Sequence, residues 1–287
     1  MSRARKLKAL EDRFQTIARS LDPSVLSGEG DDFDDLEDII YGQLSGAGDN
    51  RLLGFYSESG VLAAYEAYGL LDELRGRGYA DFRVEFNLEE FAHRLRFFAD
   101  GESICDCVLR KVAGAEDPCI AELQRHRSFQ LLYVEWLELE DPRGQFTPQR
   151  PQLPGQTHPG SGLGEEVFLL LSIAGQRLNF DGLLEVPQYF HNAAFYGRRA
   201  HFIDPHMQGR FMALLRLLED HPLAEVAWGL EEGRVRDVKT GEVIEWPPRE
   251  QLVPFSKHLH GYFESSAWRQ AAHRAWRQMN LTLVASQ

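Results

Sequence analysis

The sequence is short of cysteine, of basic charge and of long apolar runs, and each shortage removes a class of function. Its three cysteines, Cys105, Cys107 and Cys119, are too few and too odd in number for a disulfide framework, which points to a reducing compartment and makes the cytoplasm the expected location. None of them stands in a Cys-x-x-Cys pair and no His-Glu-x-x-His occurs, so no metal is expected, and His191, His201, His206, His258 and His260 read as surface or packing residues. No apolar run approaches the roughly eighteen residues of a membrane span, and the basic residues 1–8 lead into charged amphipathic sequence instead of a signal-peptide core. Against 44 acids stand 31 bases, a net charge of −13, which opposes general binding to a phosphate backbone. Neither a membrane nor a nucleic acid is an expected partner. No repeat of fixed period is visible either.

What is present is ample material for a core. Of the 287 residues, 43% are hydrophobic and 11% aromatic, enough for one large domain or two ordinary ones. Six acids in the eight positions from Asp31 to Asp38 form the densest charge cluster; a solvated loop or helix start is the plain reading of it. Residues 4–21 place Leu7, Leu10, Phe14, Ile17 and Leu21 three and four apart, which predicts an amphipathic docking helix. Residues 61–74 repeat that pattern and stop at Gly76 and Gly78.

From Phe82 the pattern turns to strands, over residues 82–86, 91–98, 104–112 and 130–139, with Asp100-Gly101 as a hairpin turn. Residues 130–139 have apolar side chains on both faces, which predicts a central strand. Five of the thirteen prolines fall between Asp141 and Pro159, so this stretch is expected to be an extended surface loop. Beyond it the reading runs helix 163–176, buried strand 182–186, short helix 192–199 and strand 201–203. An amphipathic helix over 207–218, a β-hairpin over 226–246 turning at Lys239-Thr240-Gly241, and a final helix over 262–279 packing Trp268 and Trp276 complete it.

The chemistry concentrates where the proline-rich loop opens into a helix. Gly160, Ser161, Gly162, Leu163 and Gly164 would bring successive backbone amides to a helix N-terminus, where the dipole is positive and no Cβ keeps an anion away. A pyrophosphate fits that chemistry. There is no Gly-Lys-Ser/Thr of a P-loop, and the glycines fall at the first, third and fifth positions instead of the first, third and sixth of a dinucleotide fold.

With the order that follows, these residues resemble the GNAT (Gcn5-related) acyltransferases over about residues 82–203, whose pyrophosphate loop reads Arg/Gln-x-x-Gly-x-Gly/Ala at a helix start. Here Pro159 stands where that family prefers Arg or Gln, with Gln156 and His158 as nearby substitutes. The resemblance implies a mixed α/β (α+β) fold, a mainly antiparallel twisted sheet flanked by helices. It divides the chain into an N-terminal helical extension (1–80), a GNAT-like domain (81–205) and a C-terminal addition of helix, hairpin and helix (206–287). It further implies acetyl-CoA or another acyl-CoA as co-substrate, held by Gly160, Ser161, Gly162, Leu163 and Gly164, and an amine-bearing acceptor. Tyr196 would protonate the leaving thiolate, and Glu135 or Glu138 would deprotonate the amine. Strands 130–139 and 182–186 would splay to admit the pantetheine arm. A homodimer is one assembly compatible with this reading; a non-catalytic GNAT-like binding, sensor or assembly module is its alternative, and an ordinary helix start in an unrelated α+β protein is a third reading of the glycine segment.

Overall fold

A computed structural model describes residues 3–28, 50–113, 123 and 129–285. The acidic cluster at Asp31–Asp38 and Cys119 lie outside the described residues. The fold is mixed α/β, as expected: among the described residues seven strands hydrogen-bond in the order β1 (Phe82–Leu88), β2 (His93–Ala99), β3 (Glu102–Ala113), β4 (Gln130–Leu139), β5 (Gly182–Glu185), β8 (Gln251–Pro254) and β6 (His201–Phe202), and β7 (Val235–Asp237) pairs separately with β9 (Leu281–Leu283). The chain divides into two compact units, one made of Met1–Lys111, Glu135–Pro142 and Ser161–Ile173, the other of Val112–Val134, Arg143–Gly160 and Ala174–Gln287.

In the first unit, α1 (Arg3–Ser20) is followed by the short α2 (Pro23–Ser27), α3 (Glu58–Tyr68) and α4 (Leu70–Arg75). The Asp22 carboxylate caps α2 by accepting the Ser24 amide at 2.9 Å, and Ser57 Oγ caps α3 by accepting the Gly60 amide at 2.9 Å, each satisfying an amide the helix leaves open. Residues 61–74 are thus two helices where one was expected, because Gly69, at φ 85°, ends α3 and starts α4. Gly60 brings α3 against the backbone of α2: a Cβ there would stand 2.0 Å from the Leu26 carbonyl oxygen. Aromatic rings join the helices to each other and to the sheet: Phe14 of α1 lies 4.7 Å from Tyr68 of α3, and Tyr65 of α3 is edge-on to the strand residue Phe97 at 5.0 Å. Glu58 ties α3 to β1 by accepting the Phe86 amide at 2.8 Å.

Strands β1 (Phe82–Leu88), β2 (His93–Ala99) and β3 (Glu102–Ala113) pair antiparallel. The turn at Asp100-Gly101 forms as the sequence predicts, with φ of 51° and 81°, the mirror-image geometry that suits a two-residue hairpin. Asp100 also accepts the amides of Ala80 and Asp81, so its carboxylate holds the start of β1 as well as the turn.

Strand β4 (Gln130–Leu139) contributes to both units. Leu131, Leu132 and Val134 are buried, whereas Glu135, Trp136 and Glu138 are exposed; the strand is central only in its first half. In the second unit that half pairs in parallel with β5 (Gly182–Glu185), from Leu131↔Gly182 to Val134↔Glu185. Helix α5 (Gly164–Arg177) connects β4 to β5, as a parallel pair requires. Strand β8 (Gln251–Pro254), absent from the sequence reading, runs antiparallel between β5 and β6 (His201–Phe202).

Two cores cover the faces of this part of the sheet. One gathers Phe129, Leu131, Leu184, Ile203, Leu252, Leu259, Phe263 and Trp268. The other gathers Phe190, Phe202, Phe211, Leu214, Val226 and Val235 under α6 (Phe190–Tyr196), α7 (Pro205–Arg216) and α8 (Leu223–Glu231). Each such side chain, fully buried, contributes about 1.5–3 kcal/mol. The expected hairpin over 226–246 does not form. Its first half is α8, because Val226 and Leu230, four apart, bury one helical face; Val235–Asp237, β7, pairs with β9 (Leu281–Leu283) and makes only an isolated bridge to Val243. The expected last helix is likewise two, α9 (Lys257–Glu264) and α10 (Ser266–Gln278). Ser265 breaks it with ψ 142°, its Oγ donating to the Tyr262 carbonyl and accepting the Trp268 amide. Gly209 lets α7 meet α10, since a Cβ there would lie 2.5 Å from the Ala272 carbonyl oxygen.

Candidate functional site

The glycine segment starts a helix as expected, α5 beginning at Gly164. In the first unit the Ser161 amide donates to the Leu139 carbonyl at 3.0 Å, returning the chain to the end of β4. Ser161 is buried, 1% exposed, and its Oγ accepts the Leu163 amide at 3.3 Å. Two of the five amides are therefore used within the protein. Gly162 is exposed at φ 75°, a left-handed angle that favours glycine. Beside it lies a cation the sequence reading missed: Arg77 donates from Nη1 to the Ser161 carbonyl, and its Nη2 would be 3.4 Å from a Cβ on Gly162. The same guanidinium pairs with Glu73 at 2.9 Å. Arg77 follows the glycine stop at Gly76, 84 residues before Ser161 in sequence, and nothing local marks it as a partner of the loop.

The helix start is not purely attractive to anions. Glu165 and Glu166 occupy the first turn of α5, and burial raises the Glu166 carboxyl above its ordinary value while a bond from its own amide opposes that rise. In the second unit, Arg150 Nη2 donates to the Gly160 carbonyl. The proline-rich stretch that carries Gly160 is a loop, as expected, and it is held down: Trp228 Nε1 donates to the Gln152 carbonyl at 2.8 Å, and Gly155 lies on the ring of Tyr189.

The candidate acid and bases sit as follows. Glu135 is exposed on β4, with Oε1 3.4 Å from Arg110 Nη1. Glu138 is exposed on the same strand, and its charge contributes to the shifts of Arg94 and Cys105. Tyr196, in the second unit, ends α6 half-buried, its carbonyl accepting the amides of Arg199 and Ala200. The ladder between β4 and β5 stops at Val134↔Glu185, while β4 continues to Leu139. Cys105 and Cys107 are buried in β3, and burial pushes the Cys105 thiol up to about 12.

A group that the sequence reading passed over is Glu185, last residue of β5. It is 9% exposed, and burial alone pushes its carboxyl up to about 8. The signal was present, a lone acid in the otherwise apolar run Leu183-Leu184-Glu185-Val186. His191 is also buried, 3% exposed and stacked on Tyr189 at 5.4 Å, and burial pulls its ring down to about 4. Among the described residues no cluster of three or more His, Cys, Asp or Glu side chains is arranged for a metal ion, and no helix is long and apolar enough to cross a membrane.

No family model matches the chain, and no curated protein does. Among solved structures, a tetramutant of BH1408 from Bacillus halodurans is 18% identical, over 48% of this chain and 80% of its own, with a TM-score of 0.25. AtaT complexed with acetyl-methionyl-tRNAfMet is 12% identical, over 54% of this chain and 81% of its own, with a TM-score of 0.22. Scores that low leave the function to the geometry of the site.

Proposed function

We propose that this protein is an acyl-CoA-dependent N-acyltransferase, acting on a primary amine of a small molecule or protein. The observation that carries the reading is the glycine segment at the start of α5, where the Ser161 amide holds the chain to Leu139 and leaves Gly162 exposed at φ 75° with Arg77 against it. The amides of Gly162 and Gly164, with Arg77 alongside, suit the diphosphate of the co-substrate. Attack of the neutral amine on the thioester carbonyl forms the amide bond. Collapse of the intermediate breaks the C–S bond, with Tyr196 supplying a proton to the thiolate and Glu135 or Glu138 removing one from the amine.

A second reading, a GNAT-like module that binds without turnover, is favoured by the consumption of the Ser161 and Leu163 amides inside the protein. Calorimetry with acetyl-CoA and free CoA tests the first: saturable binding is expected, lost in Gly162→Val. If neither ligand binds, the acyltransferase reading fails. Turnover across a panel of amines then separates the two, since binding without turnover leaves only the second.

A further inference from the structure

Among the described residues of the second unit whose side chains hold a buried polar atom without a hydrogen-bond partner, Glu185 and Gln251 stand side by side on the sheet. Glu185, ending β5, is the antiparallel partner of Gln251, which begins β8, so the two side chains rise from one face of the sheet, roughly 5 Å apart at Cβ. Gln251 is 0% exposed and Glu185 9%. Among the described residues, Glu185 Oε1 and both Gln251 side-chain amide atoms have no hydrogen-bond partner. Buried polar atoms are satisfied in nearly all folded proteins, and strands that needed only packing would carry apolar residues here, as the neighbouring Leu184 and Leu252 do. The next partner along this face is Phe202, opposite Gln251 on β6. Its ring lies 5.9 Å from that of Trp246, whose Nε1 donates to the Pro187 carbonyl two residues beyond Glu185.

We propose that Glu185 and Gln251 form a binding site for a primary amine that carries an oxygen acceptor on the neighbouring carbon, the amino-alcohol and amino-amide class. Glu185 Oε1 and Gln251 Oε1 accept from the nitrogen, and Gln251 Nε2 donates to the oxygen, so each orphaned atom gains a partner of matching polarity. The site rests on the preceding reading only in its role as acceptor site; the binding itself does not. Because the Glu185 carboxyl holds its proton at neutral pH through burial, with no charged side chain contributing, taking up an ammonium ligand releases one proton. That proton leaves either from the carboxyl, giving an ion pair, or from the ammonium, giving a neutral pair.

The experiment is calorimetry of the full chain with 2-aminoethanol, glycinamide and propylamine, without CoA, in two buffers of different ionisation heat. The first two should bind with release of about one proton, and propylamine about tenfold more weakly or not at all. Gln251→Leu should erase the discrimination, and Glu185→Gln should erase the proton release and most of the affinity while melting at or above the wild-type temperature. The proposal falls if none of the three amines binds, which would leave the pair as a water site, or if Glu185→Gln binds unchanged. It falls too if Glu185→Gln melts lower, the mark of a structural residue. Acetyl-CoA titrated into the same protein separates the two ideas: CoA binding without amine binding sinks this site alone, and amine binding without CoA binding sinks the acyltransferase alone.

Discussion

The amide of Ser161 donates to the carbonyl of Leu139 at 3.0 Å, so the long proline-rich excursion leaves β4 and comes back to the end of the same strand. This bond fixes where the glycines stand, and it also spends one of the amides that an anion would have used. Gly162 is left as the exposed member of the segment, with Arg77 against it. The loop is therefore a mixed arrangement, part self-satisfied and part open, with its positive charge borrowed from the end of the helical region.

Gly162→Val separates backbone strain from ligand loss. At φ 75° a β-branched residue is strained, at a cost of about 1–2 kcal/mol, and its side chain would crowd Arg77. Gly241 has nearly the same angle, 73°, with nothing within 4 Å of an added Cβ. Gly241→Val should therefore lose similar stability in urea denaturation yet keep whatever CoA binding the wild type has, while Gly162→Val loses it. Equal CoA affinity in both variants would show that the segment does not hold the diphosphate.

The buried Glu185 and His191 predict a pH profile of stability with a definite shape. Glu185 has its folded value raised from 4.5 to about 8, so its contribution is complete below about 4.5 and drains away as pH rises through 8. His191 has its folded value lowered from 6.5 to about 4, so its contribution is complete above 6.5 and drains as pH falls through 4. Between pH 4.5 and 6.5 the two slopes oppose. From 6.5 to 8 only Glu185 acts, and stability should fall by up to about 1.4 kcal/mol per pH unit. Urea midpoints at pH 5, 6.5 and 8 check this, and Glu185→Gln should flatten the upper limb.

Gly60→Ala should be among the most damaging single-methyl additions in the chain. The new Cβ would lie 2.0 Å from the Leu26 carbonyl oxygen and 2.8 Å from its Cα, all backbone that cannot turn aside. A loss of about 3 kcal/mol or more is expected, read as a drop in urea midpoint, with α2 and α3 forced apart.

The thiols of Cys105 and Cys107 should be silent in the folded protein. Both are buried, and burial raises both above the ordinary thiol range, which suppresses the reactive thiolate. In a Cys119→Ser background, a chromogenic thiol reagent should titrate nothing at pH 8 until denaturant is added. Rapid labelling of the native protein would contradict the burial.

The sequence was most readable where one local pattern decided the structure. The Asp100-Gly101 turn, the two-faced apolar run of Leu131, Leu132 and Val134, and the glycine start of α5 each follow from neighbouring residues. It was least readable where the partner lay far along the chain. Gln251-Leu252-Val253-Pro254 is too short to announce itself as a strand, and its place is fixed by β5 and β6, about fifty or more residues away in sequence. Residues 226–246 carry strand formers, yet Val226 and Leu230 turn α8 inward because a core is there to receive them. The candidate site divides in the same way. Its glycines were visible as a motif, whereas Arg77 reaches them only through the fold, and Gln251 acquires meaning only opposite Glu185.

Gly155 carries a lesson about where change is tolerated. It is exposed, in a loop, at φ 77°, and a Cβ on it would fall 2.5 Å from the ring of Tyr189, which itself stacks on His191. A variant library scored by solvent accessibility would rank this position as free to vary. The geometry ranks it with the interior, and a side chain added there would be felt first at a buried imidazole two contacts away.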